Sequence, residues 1–306
     1  MTRQIAALVL ASLLVAGCAS RAPRPGQGLP PQAYVDAPFY PQEIHHCGPA
    51  ALAGALGASG VTVTPEALAT QVYLPGREGS LQLELVAAAR GAGRLAYVLE
   101  PSLEDALREV AAGRPVLVLQ NLGLSWYPRW HYALLIGYDL SAGNVTLHSG
   151  TRRGYETSLT TFDRTWERAG RWALLVLPPG TLPVTASELP YLAAAAALER
   201  GDPVAAEAAY AAALQRWPAS LPALLGRGNA RYARGDLNGA AQAFAAAVAA
   251  HPDSAIAHNN HAHVLYRLGR RGDALAAARR AVGLAGDTLP AARQTLDEIG
   301  QGELPR

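Results

Sequence analysis

Two cysteines occur in the 306 residues of this chain, and they stand in different settings. Cys18 closes an apolar leader. Cys47 lies in the run His45-His46-Cys47-Gly48-Pro49-Ala50-Ala51-Leu52. Proline suits the first turn of a helix, where its missing N–H has no partner to lose, so the pattern predicts a helix from Cys47 to Leu56. A thiol at that end meets free backbone N–H groups and the positive end of the helix dipole. Such a setting favours a thiolate and can bring a cysteine pKa down to roughly 3.5–7.5. Gly48 leaves room for a substrate backbone. A thiol nucleophile also needs a base. His131, 84 residues further on, opens the apolar run His131-Tyr132-Ala133-Leu134-Leu135-Ile136-Gly137-Tyr138. At a strand end it can project over the sheet edge toward a helix N-terminus. The chemistry open to such a pair is acyl transfer through a thioester. The bland alternative is a small buried hydrophobe at Cys47. His45 and His46 lack a cysteine or carboxylate at ligand spacing, so neither a metal nor a cofactor is expected.

The leader bears on the state of that thiol. Arg3 precedes an uninterrupted run of apolar and small residues from Ile5 to Ala16, too short for a membrane span of roughly 20 residues. Leu14-Val15-Ala16-Gly17-Cys18 resembles the bacterial lipobox, whose cysteine is diacylated and becomes the first residue of the mature chain. A signal peptide over 1–18, lipid on Cys18 and a Pro- and Gly-rich tether over 19–37 are therefore expected. Ala19, in place of an Asp, points to the periplasmic face of the outer membrane. In that oxidising compartment acylation of Cys18 would leave Cys47 with no partner, either inert or reactive.

Two domains must position these residues. Apolar content is 50% and charge 16%, which suits a packed globular chain. The net charge of +2, with every basic residue an arginine, encodes no strong pull toward nucleic acid. Over 38–178, Thr64-Pro65, Ser80 and Ser102 with Asp105 mark helix starts. Strands are expected at 94–99, 115–120, 131–138 and 144–149, with a last one over 171–177. Helices first and an antiparallel sheet after them argue for an α+β layer fold. Pro178-Pro179-Gly180 marks the junction. Beyond it Gly201, Gly235 and Gly269 recur every 34 residues, as do Ala206, Ala240 and Ala274. Tyr210 is matched by Phe244, and Pro218 by Pro252. That period and those residue types are the tetratricopeptide signature. Three repeats, at 187–220, 221–254 and 255–288, form an all-α solenoid capped by a helix over 289–302.

Gln42, Cys47-Gly48-Pro49-Ala50, Gly79-Ser80 and His131-Tyr132 together resemble the C39-like peptidases. These are a compact papain-like group with the cysteine on a helix and the histidine on a later strand. More narrowly, such a domain in a lipoprotein ahead of tetratricopeptide repeats resembles a proteobacterial family of cysteine peptidases. The resemblance implies an α+β papain-like domain with Cys47 as nucleophile and His131 as general base. Gln42 becomes the side-chain donor of the oxyanion hole, beside the Cys47 N–H. It also implies an Asp at the end of the strand after the histidine. Here that strand ends Leu147-His148-Ser149-Gly150, which places Ser149 on the acid, with His148 a weaker choice. Asp139 is the nearest acid, but eight residues of straight strand put it about 26 Å from His131.

In the solenoid, Asn259, His263 and Tyr266 fall on one helix face, and Asn229 and Tyr232 match two of them one repeat earlier. In the tetratricopeptide family these are concave-groove positions, so a peptide or protein partner is expected there. Three functions compete. The first is a lipid-anchored cysteine peptidase whose repeats recruit its substrate. The second is an inactive papain-like scaffold acting in envelope assembly through the repeats. The third is a murein-directed thiol amidase, although those enzymes usually carry Asp-Cys-Ser-Gly. Tether and lipid would make the membrane a further partner.

Overall fold

The computed structural model describes residues 28–41, 46–286 and 288–302. The leader with Cys18, and the tether as far as residue 27, lie outside them. In chain order the first domain comprises β1 (Gln32–Tyr34), α1 (Cys47–Ala58), α2 (Pro65–Val72), α3 (Gln82–Gly91), β2 (Leu95–Val98), α4 (Leu103–Ala111), β3 (Val116–Asn121), β4 (Trp130–Asp139), β5 (Asn144–Ser149), β6 (Arg152–Ser158), α5 (Leu159–Glu167) and β7 (Ala173–Leu177). The strands form one antiparallel sheet in the order β2-β7-β3-β4-β5-β6, and β1 pairs with the far end of β4.

Alternation along the strands assigns the two faces. Leu117 and Leu119 of β3, with Tyr132, Leu134 and Ile136 of β4, pack against α1, α2 and α3. Val116, Val118, Ala133 and Leu135 look the other way, toward Leu107 of α4 and Phe162 and Trp166 of α5. Helix α1 is buried from Gly48 to Leu56, as a helix apolar on every side must be. Small residues let it sit close. A Cβ on Gly48 would lie 2.6 Å from Ser80 Oγ, so only glycine fits there.

The second region is a run of helical hairpins: α6 (Glu188–Ala196), α7 (Pro203–Arg216), α8 (Leu221–Ala233), α9 (Leu237–Ala250), α10 (Ala255–Arg267), α11 (Arg271–Ala285) and α12 (Pro290–Gln301). Equivalent caps recur. Asp202 and Asp236 accept from Ala205 N–H and Gly239 N–H, while Ser220 and Ser254 accept from Ala223 N–H and Ala257 N–H. The two regions share one apolar core, which runs from the sheet through Tyr97 and Trp166 to Tyr191, Ala206 and Tyr210. At the junction the fully buried carboxylate of Glu109 accepts from the Thr185 N–H (2.8 Å) and hydroxyl (2.6 Å) and pairs with Arg114 at 2.8 Å. The Ser187 N–H donates to the Tyr97 hydroxyl at 3.2 Å.

Three elements depart from the sequence reading. β6 is a polar edge strand, Arg-Arg-Gly-Tyr-Glu-Thr-Ser, whose mostly exposed residues lack a clean apolar alternation. β1 spans only three residues. α5 buries Leu159, Phe162 and Trp166, a helical spacing that its polar neighbours obscure.

Candidate active site

Cys47 is the first residue of α1 and lines a cavity of about 980 Å³. The same cavity is lined by His131 and Tyr132 of β4, by Gly150 and Thr151 of the β5–β6 turn, and by the segment from Arg77 to Gln82. The sheet explains how backbone reaches the thiol. Tyr132 stands opposite Leu119 of β3, but the Leu119 N–H turns away to the Trp172 carbonyl at 3.2 Å. Tyr132 therefore points its N–H away from β3. On that side β5 begins to pair only at Leu134, and the N–H instead acts on the Cys47 sulfur, favouring its thiolate. The Tyr132 hydroxyl donates across the cleft to the Ser80 carbonyl at 3.2 Å.

His131 meets Ser149. Its Nε2 lies 2.8 Å from Ser149 Oγ, and Ser149 is buried at the end of β5. When Nε2–H donates to the hydroxyl, Nδ1 is left as the basic nitrogen. A hydroxyl orients the ring but supplies no charge. The charge beside the ring has the wrong sign for an imidazolium: burial, then the Arg152 guanidinium, push His131 down to about 4 from an ordinary 6.5. Arg152 sits directly across the β5–β6 turn from Ser149, its guanidinium 3.5 Å from the centre of the Tyr155 ring.

The thiol corrects a sequence expectation. Burial raises the Cys47 pKa above its ordinary value of 9.0, although the N–H groups of Tyr132, Gly48 and Cys47 itself pull the other way. The helix terminus is present, but desolvation of the sulfur outweighs it. At neutral pH the Cys47 thiol therefore stays protonated and the His131 imidazole uncharged.

Other side chains fall as follows. Gln42 and His45 lie outside the described residues. His148 belongs to the fold: its Nε2 donates to the Ala37 carbonyl at 3.0 Å and its Nδ1 accepts from the Gly154 N–H at 3.2 Å. Asp139 stands at the far end of β4, where its carboxylate accepts from the N–H groups of Ser141 and Ala142. Trp126, Tyr127 and Trp130 are exposed, and of the three only Trp130 lines the cavity. In the solenoid, Tyr232 and His263 meet at 3.0 Å between α8 and α10, and Arg267 donates to the Tyr232 hydroxyl at 2.9 Å. Asn229 is exposed, and Asn259 Oδ1 is buried with no hydrogen-bond partner among the described residues. Tyr266 is not a groove residue. It is buried among Leu265, Ala274, Ala278 and Ile299, because α10 turns that position toward α11 and α12.

Two participants were not legible beforehand. The Tyr132 main chain has no side-chain signature, and Arg152 is 21 positions from His131 in sequence and reaches it only through the register of β5 and β6.

Comparison with known proteins follows the same division. Residues 34–174 match the Peptidase_C39 like family, and residues 228–269 match a TPR repeat. No match was found among curated proteins. Similar solved structures include a protein from Bacillus anthracis described as a C39-like peptidase, at 19% identity over 48% of this chain and 97% of that one, with a TM-score of 0.41. A double glycine motif protease from an AMS/PCAT transporter, crystallised with its leader peptide, is 20% identical over 47% of this chain and 93% of that one, with a TM-score of 0.36. The peptidase domain of Streptococcus ComA, a bifunctional ABC transporter of a quorum-sensing pathway, is 18% identical over 48% and 98%, with a TM-score of 0.38.

Proposed function

We propose that this chain, a C39-like peptidase domain followed by tetratricopeptide repeats, is a cysteine peptidase that cuts a peptide or protein from a neutral thiol–imidazole pair. One observation carries the reading: Cys47, at the start of a buried helix, shares a cavity with His131, whose Nε2 is engaged by Ser149. In this reading Sγ attacks the scissile carbonyl carbon while its proton passes to Nδ1 of His131. The C–N bond then breaks as the imidazolium returns that proton to the leaving amine; water, deprotonated by His131, attacks the thioester, the C–S bond breaks to release the carboxylic acid product, and the imidazolium reprotonates Sγ. The N–H groups at the start of α1 face the developing oxyanion, and the family resemblance adds Gln42. The groove around Asn229, Tyr232 and His263 recruits the substrate or a partner. The leader, with Cys18 acylated, holds the enzyme at the periplasmic face of the outer membrane. Labelling with radioactive palmitate tests the anchor: wild type labels and Cys18→Ala does not. For the peptidase, new peptide N-termini should form with wild type and be absent with Cys47→Ala and His131→Ala.

A second reading is supported by the missing carboxylate at Ser149 and the arginine beside His131: a papain-like scaffold acting through its repeats. It predicts that wild type and Cys47→Ala are equally inert, while Asn229→Ala with His263→Ala loses an envelope partner.

A further inference from the structure

We propose that the substrate itself supplies the missing negative charge, through a carboxylate that docks on Arg152, opposite Ser149 across the β5–β6 turn. This rests on the peptidase reading for its catalytic consequence, but not for the binding site.

Arg152 is opposite Ser149 in the β5–β6 ladder, and Ser149 holds Nε2 of His131 at 2.8 Å. The intervening turn residues, Gly150 and Thr151, form part of the cavity wall. A guanidinium placed there is a fixed fork for a carboxylate. Its partner in the fold is the face of Tyr155, whereas the neighbouring Arg153 pairs with Asp36. The acid on the cavity wall, Glu78, stands in the segment leading to Ser80, which packs on Gly48 at the start of α1. Ligand carboxylate on Arg152 neutralises the cation that opposes protonation of His131. It also brings an anion to the region where a triad acid would act. An acidic peptide thereby improves the base that cleaves it, and the chain prefers a Glu or Asp side chain, or a free C-terminal carboxylate, at one position near the scissile bond.

The test uses the full chain carrying Cys47→Ala, so that peptides bind without being cut. Fluorescent hexapeptides with both termini blocked carry either Glu or Gln at each of six positions in turn. A further pair differs only in a free or amidated C-terminus. One pair is expected to show at least tenfold tighter binding of the acidic member. Adding Arg152→Gln should bring that ratio below twofold, and Arg152→Lys should retain part of it, with melting curves unchanged. The His131 ring protons should titrate at higher pH in the acidic complex than in the Gln complex. Equal binding within every pair, or a preference that survives Arg152→Gln, overturns the proposal. If the binding preference holds but the Cys47 chain cuts neither member, the anion site stands and the peptidase reading falls.

Discussion

Replacing Ser149 by Asp restores the charge that His131 lacks. The hydroxyl it replaces lies 2.8 Å from Nε2, so the new carboxylate falls within about 4 Å of the ring. At an effective dielectric of about 20, unit charges at that distance attract by about 4 kcal/mol, equivalent to about 3 pKa units. Measured shifts beside one opposite charge are about 1–3 units. His131, held at about 4 in the wild type, should therefore titrate between about 5 and 7 in Ser149→Asp. The buried position is tolerable for a carboxylate because Arg152 stands opposite and can pair with it. Proton NMR of the ring reports the shift directly, and the acid limb of the kcat/KM profile should move up with it. Ser149→Asn keeps a polar side chain without charge, so its limb should stay near the wild-type value. A folded Ser149→Asp protein whose His131 still titrates near pH 4 would show that this position does not control the base. The same substitution occupies Arg152, so any preference for acidic peptides should shrink in parallel.

Three further outcomes follow from the electrostatics and the core. Iodoacetamide should label resting Cys47 in step with a pKa above 9.0, since burial raises the thiol; rapid labelling that is flat from pH 6 to 8 would contradict that. The depressed His131 pKa makes stability fall on acidification. The unfolded chain takes up the proton near 6.5 and the folded one only near 4, so stability present above 6.5 is lost through that window, by at most about 3 kcal/mol. Urea melts of wild type and His131→Gln at pH 7 and 4.5 measure the difference, and equal losses in both proteins would dismiss His131 as the source. Glu109→Ala leaves Arg114 and Thr185 facing a void at the junction and should cost about 3–5 kcal/mol, whereas a loss below about 1 kcal/mol would show that the buried clasp contributes little.

Much of the architecture was written in local chemistry. Gly48-Pro49 set the start of α1, Ser102 capped α4, and the 34-residue period of glycines and alanines marked the helical hairpins. β6 escaped because an edge strand is selected for polarity, which makes it read as loop. Tyr266 escaped for another reason. Its spacing from Asn259 and His263 is right for one face, but the partners of that face are fixed by how α11 and α12 pack, which no single helix reveals. The protonation states were the least legible part. A helix terminus is visible in sequence, whereas the burial that outweighs it at Cys47, and the arginine set opposite Ser149 across a turn, exist only after the sheet has closed.

The proposed peptidase activity requires both Cys47 and His131. Mass spectrometry of a diverse peptide mixture incubated with the full chain at pH 7 addresses it most directly. New N-termini that appear with wild type and vanish with both Cys47→Ala and His131→Ala are the predicted result. Identical peptide profiles for wild type and Cys47→Ala, with Cys47 shown to be reduced and accessible, would contradict it.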